Sequence, residues 1–159
     1  MGIKAKQNGN IDATFKLFLQ EVERQLIESL RRVGEEAVTI ARNEHANNWT
    51  DRTSNLRSSI GYVVFKNGEA VMQSTFEQLP PKDQKEAADM QGGKTGESLA
   101  KQIGAETQGY SLVVVAGMNY AVHVEAKGYD VLTSAERTAE SRIAQELADL
   151  VTNVKEAFS

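Results

Sequence analysis

Leu56-Arg57-Ser58-Ser59-Ile60-Gly61-Tyr62-Val63-Val64-Phe65-Lys66-Asn67-Gly68-Glu69-Ala70-Val71-Met72-Gln73-Ser74-Thr75-Phe76 is the stretch that decides the fold. Its first half turns β-like, with Ile60, Tyr62, Val63, Val64 and Phe65 in close succession, residue types that fit a pleated, half-buried surface. Lys66-Asn67-Gly68-Glu69 then contains Asn-Gly, the strongest short hairpin signal, because both central residues of the favoured two-residue turn need positive φ. Ala70 to Phe76 reads as the returning strand. A hairpin at this point makes the sheet antiparallel where it starts, and what surrounds it settles the class.

Upstream, apolar residues recur at helical spacing from Ile11 to about Ala46: Phe15, Val22, Leu26, Leu30, Val33, Ala37 and Ile40, widened by Phe18, Leu19, Ile27 and Ala41. Such a stripe predicts an amphipathic helix, with Asn10 or Asp12 at its cap and Gly34 as a bend point. At 1.5 Å per residue it is about 50 Å long, longer than a small domain is wide, so one end is expected to project. Asn47 to Asn55 is polar and reads as loop. Downstream, Tyr110 to Ala116 is near-continuously apolar and reads as a central strand, and Tyr120 to Glu125 as a further extended segment. Thr133-Ser134-Ala135-Glu136 has the form of a capping box. Behind it Ala139, Ile143, Leu147, Leu150, Val151, Val154 and Phe158 mark one face of a closing helix. The expected fold is α+β: a long N-terminal helix and a C-terminal helix packed on one face of a small, mainly antiparallel sheet. The 159 residues fit a single domain. Residues 1–10 are read as a mobile N-terminal arm, and residues 77–109 as a long loop or insertion, with Gln91 to Gly96 flexible and a short helix over Ser98 to Ile103.

Composition narrows function by exclusion. The chain has no cysteine, which rules out disulfides, thiolate nucleophiles and cysteine-ligated metal sites. The net charge of −4 is uneven: residues 1–60 hold 9 basic and 8 acidic side chains, residues 61–159 hold 9 and 14. A nucleic-acid binder normally carries a basic face, because phosphate neutralisation supplies most of its affinity, so no sequence-specific nucleic-acid binding is expected. No run approaches the roughly 18 apolar residues of a membrane span, and the first ten residues lack the apolar core of a signal peptide, so no membrane partner is expected.

Three local patterns suggest chemistry and fail on spacing. Gly92-Gly93-Lys94-Thr95 lacks the earlier glycine of a phosphate loop, since Ala88 stands there, and lacks a strand before it. His123-Val124-Glu125 matches the His-x-Glu of zinc deaminases, whose two cysteines are missing here; on a strand the two side chains share a face and read as a surface or interface pair. His45, beside Glu44, suits the C-terminal end of the first helix, and Trp49 a small-core anchor or an interface. No catalytic residue, metal or cofactor is expected, and the chain reads as a non-enzyme.

Two segments carry a resemblance. Thr53-Ser54-Asn55-Leu56-Arg57-Ser58-Ser59-Ile60 resembles the Thr-Gly-x-Leu-Arg-x-Ser-Ile motif of the small tail-completion, or head–tail joining, proteins of tailed phages. Val113-Val114-Val115-Ala116-Gly117-Met118-Asn119-Tyr120-Ala121-Val122-His123-Val124-Glu125 resembles that family's strand, glycine and Tyr-Ala-x-x-Val-Glu motif. The order of elements is also similar over most of the chain outside residues 77–109. Ser54 stands where the family has Gly, one extra residue precedes Gly128, and Val131-Leu132-Thr133 replaces Pro-Phe-Leu or a similar triplet. The resemblance implies a structural virion protein made in a bacterial host cytoplasm. It would form a homo-oligomeric ring, hexameric in expectation, at the head–tail junction or upper tail, and dock other neck, connector or tail proteins. Its motif or interface candidates are Leu56, Arg57, Ser58, Tyr120, Ala121 and Glu125. Arg57 and Glu125 are each expected to make a charge-assisted hydrogen bond, within the subunit or across to a neighbour. The competing readings are another phage assembly adaptor or minor tail protein, a nucleotide enzyme using Gly92–Gly96, and a host cytoplasmic binding module.

Overall fold

The computed structural model describes residues 9–43, 49–82, 90–119 and 121–157. Helix α1 (Gly9–Ala41) runs unbroken for 33 residues, and residues 9–10, read from sequence as part of an arm, are its first turn. Gly34 does not interrupt it. It lies buried where a Cβ would come within 2.6 Å of the Tyr62 ring, so the missing side chain makes room for that ring against the helix. The polar loop ends in a short helix, α2 (Asn55–Ser59), so the extended chain begins at Ile60 rather than at Leu56. Strand β1 (Ile60–Lys66) pairs antiparallel with β2 (Glu69–Gln73), with Lys66 opposite Glu69 around the two-residue turn. Asn67 and Gly68 both have positive φ, 51° and 82°, as the Asn-Gly signal requires. The register slips between Val64 and Phe65, whose partners are Met72 and Ala70, which inserts Val71 as an extra residue.

Strand β3 (Tyr110–Ala116) pairs antiparallel with β1 along its whole length, and the strand order is β2-β1-β3. The apolar run of β3 is therefore not central; β1 is. The run arises because both faces of β3 are covered, not both edges. On one face Ile60, Tyr62 and Val64 of β1, with Leu112 and Val114 of β3, pack against Leu30, Ala37, Val38 and Ala41 of α1 and against Trp49. On the other, Val63, Phe65, Val113 and Val115 pack with Phe76, Leu99 and Ala100. This alternation follows from the two-residue period of a strand.

The second face is closed by α3 (Gly92–Gly104). Residues 92–104 are thus a packed helix rather than part of a loop, and it starts within the segment read as flexible. The chain continues through α4 (Ala121–Ala126) to α5 (Thr133–Ala157). Residues 121–126 are helical where an extended segment was expected. The α+β class holds: α5 runs antiparallel to α1, pinned by Arg32–Glu146 at 2.6 Å and Arg142–Glu36 at 3.0 Å, on the face opposite α3. Among the described residues no helix is long and apolar enough to cross a membrane.

Candidate functional site

The two motif segments form two structural nodes. At the first, Ser54 adopts left-handed backbone, φ 60° and ψ 11°, the conformation that glycine takes without steric cost and the position where the resembling family carries Gly. The Asp51 carboxylate, 3% exposed, accepts the Arg57 backbone N–H at 2.8 Å and the Thr53 hydroxyl at 3.3 Å, satisfying a donor at the start of α2. Leu56 is buried in the main core. Ser58 is wholly buried; its hydroxyl donates to the Ser54 carbonyl at 2.5 Å and accepts the Leu79 N–H at 2.9 Å, tying the chain after β2 to α2. Ser59 is likewise buried and donates to the Leu56 carbonyl at 2.8 Å.

This node also seats α3. The Gly92 N–H donates to Asn55 Oδ1 at 3.2 Å. A Cβ on Gly92 would stand 2.2 Å from the Asn55 carbonyl oxygen, and one on Gly96 equally close to that of Ser59. The glycines four residues apart let the α3 backbone lie on α2 with no side chain between. The Gly92–Gly96 segment therefore serves helix packing. Its Thr95 N–H and hydroxyl both donate to the Gln91 carbonyl, at 2.9 Å each, whereas a phosphate cradle needs N–H groups aimed at the ligand.

The second node is the start of α5. Glu125 Oε1 accepts from the Leu132 N–H at 3.2 Å, the Thr133 N–H at 3.0 Å and the Thr133 hydroxyl at 2.7 Å. Asp130 accepts the Ser134 N–H at 3.1 Å and also its hydroxyl. The capping acceptors thus come from Glu125 and Asp130, not from Thr133 acting with Glu136. Two carboxylates at a helix N-terminus also complement its dipole. Because residues 121–126 are helical, His123 and Glu125 do not share a face: Glu125 is half-buried over α5 and His123 is exposed. Ala121 is buried in the main core. Tyr120 and His45 lie outside the described residues.

Glu125 makes its charge-assisted hydrogen bonds within the subunit, to the start of α5. Arg57, half-buried on α2, lies within electrostatic reach of Arg42 of the chain leaving α1, whose Nη2 donates to the Ile60 carbonyl at 2.7 Å. Burial, and then the Arg57 charge, hold the Arg42 guanidinium below its ordinary pKa. Trp49 is buried in the main core, 5% exposed.

Sequence reasoning passed over Asp51, Asn55 and the glycine pair of α3. The polar run around Asp51 and Thr53 held the usable signal, since these residue types bond the backbone locally and so start helices as well as form loops. Among the described residues no group of three or more His, Asp or Glu is placed to hold a metal. An open groove of about 440 Å³ lies between β3 and α5, lined by Leu112, Val114, Leu132, Ala135, Ala139 and Ile143, with Glu136 and Glu140 at its rim. At the far end of the molecule, the first turns of α1 leave Ile11, Phe15, Leu17 and Leu19 between 50% and 67% exposed. Compared with known proteins, the chain matches no family model, no curated protein and no solved structure.

Proposed function

We propose that this protein is a structural component of the head–tail junction or upper tail of a tailed phage, built to assemble as a ring of its own copies. The observation that carries the reading is where the resembling motif residues fall. Leu56, Ser58 and Ala121 are buried and Glu125 caps α5, so four of the six motif candidates lie in the core packing or at the start of the closing helix. A motif of that kind marks a shared scaffold rather than a shared active site. The resemblance supplies the virion setting. The apolar turns at the start of α1, exposed far beyond what an isolated surface residue needs, fit a protein that buries them on assembly.

The test is genetic and visual. Deleting the gene from the phage or prophage that carries it should give filled heads and separate tails by electron microscopy, with joined virions restored by the gene in trans. Normal virions from the deletion would remove the reading. Saturable ATP binding that disappears in Lys94→Ala would turn the assignment toward a nucleotide enzyme instead.

A further inference from the structure

The groove between β3 and α5 and the exposed start of α1 are complementary surfaces on one chain. Ile11, Phe15 and Leu19, at intervals of four, form a ridge along one side of α1, 67%, 59% and 50% exposed. The groove is apolar along its floor, where Leu112 and Val114 of β3 face Ala135, Ala139 and Ile143 of α5. β3 is an outer strand, so the groove runs along a sheet margin, a place proteins commonly cover with a helix. Charge matches as well. The groove rim carries Glu136 and Glu140, whereas the first twenty residues hold Lys4, Lys6 and Lys16 against the single acid Asp12.

The two surfaces cannot meet within one copy. α1 and α5 are antiparallel, with Arg32 opposite Glu146 and Glu36 opposite Arg142. Residues 135–143 therefore lie beside the C-terminal end of α1, about 36 Å along the helix from the middle of the ridge. An unbroken helix of 33 residues does not fold back over that span.

We infer that the N-terminal turns of α1 from one copy dock in the β3–α5 groove of the next, Phe15 entering the apolar floor and Lys16 meeting the Glu136–Glu140 rim. The contact is head-to-tail, so each copy gives one ridge and accepts one, and the chain of copies continues until it closes. This deepens the self-assembly reading and rests on it for its purpose, but not for its test.

Two variants of the full chain break opposite halves of the contact. Phe15→Asp removes the ridge, and Ala139→Arg fills the half-buried groove floor. The parent should show concentration-dependent association in sedimentation velocity. Each variant alone should weaken association by about a hundredfold, the scale set by burying one large apolar side chain, with helix content unchanged by circular dichroism. Mixed together, they should form a heterodimer that grows no further, because only the intact ridge of one and the intact groove of the other remain. Lys16→Glu should weaken parental association by about two- to fivefold, the scale of an exposed charge pair, and Glu140→Lys added in the same chain should restore it. A parent that stays monomeric, variants that associate like the parent, or a mixture that fails to pair overturns the contact. Association that survives both variants, with unjoined virions on gene deletion, leaves the virion role standing and places the interface elsewhere.

Discussion

Removing the Glu125 carboxylate tests whether the second motif is a helix cap. Glu125→Ala leaves two backbone N–H groups at the start of α5 and the Thr133 hydroxyl without the oxygen that now accepts all three, at 3.2, 3.0 and 2.7 Å. Loss of an N-terminal cap costs about 1–2 kcal/mol. Loss of the hydroxyl bond adds about 1 kcal/mol, and loss of a negative charge at the helix N-terminus adds about 0.5 kcal/mol. The sum is about 3 kcal/mol. For a chain of this size each kcal/mol lowers the melting temperature by about 2–4 °C, so Glu125→Ala should melt about 6–12 °C below the parent by differential scanning calorimetry. Glu125→Gln keeps an acceptor oxygen and loses the charge, and should lose about 1 kcal/mol. Because Glu125 bonds α5 and not Arg57, Arg57→Ala and Glu125→Ala should be additive to within about 0.5 kcal/mol. A Glu125→Ala melt within about 2 °C of the parent, or strong coupling to Arg57, refutes the cap.

Three further outcomes follow from other parts of the structure. Gly96→Ala should destabilise by about 2 kcal/mol in chemical denaturation, although alanine favours helices over glycine by about 1 kcal/mol, because its Cβ meets the Ser59 carbonyl at 2.2 Å; a stabilised variant would mean that α3 does not press on α2. Ser54→Gly should raise stability by about 0.5–1 kcal/mol by relieving left-handed backbone on a side-chain-bearing residue, measured by the same melts. Glu146 is held below the ordinary carboxyl value of 4.5, chiefly by its hydrogen bond from Arg32. Its contribution is therefore fully present above the unfolded-state value and is lost as pH falls through the folded one. The melting-temperature gap between the parent and Glu146→Gln should be open at neutral pH and narrow as the pH falls below the ordinary carboxyl value of 4.5 and through the folded-state one; a gap that widens in acid contradicts the pairing.

The class of fold was legible because it rests on local chemistry. The Asn67-Gly68 pair demands positive φ at two consecutive positions, and the sites found there, 51° and 82°, are those of the expected turn. The apolar stripe of α1 and the spacing behind Thr133 report one-sided burial, which periodicity encodes directly. Tertiary structure decided the rest, because it depends on neighbours distant in sequence. The apolar run of β3 says that both faces are covered but not which edges are paired, and pairing put β1 in the centre. Tyr120 to Glu125 reads from sequence as extended, yet residues 121–126 are helical and carry Glu125 onto the N–H groups of Leu132 and Thr133. Gly92 and Gly96 look like flexibility when only their own backbone freedom is counted. Their meaning comes from the Asn55 and Ser59 carbonyls, more than thirty residues earlier in the chain, which need a helix without side chains to lie against them.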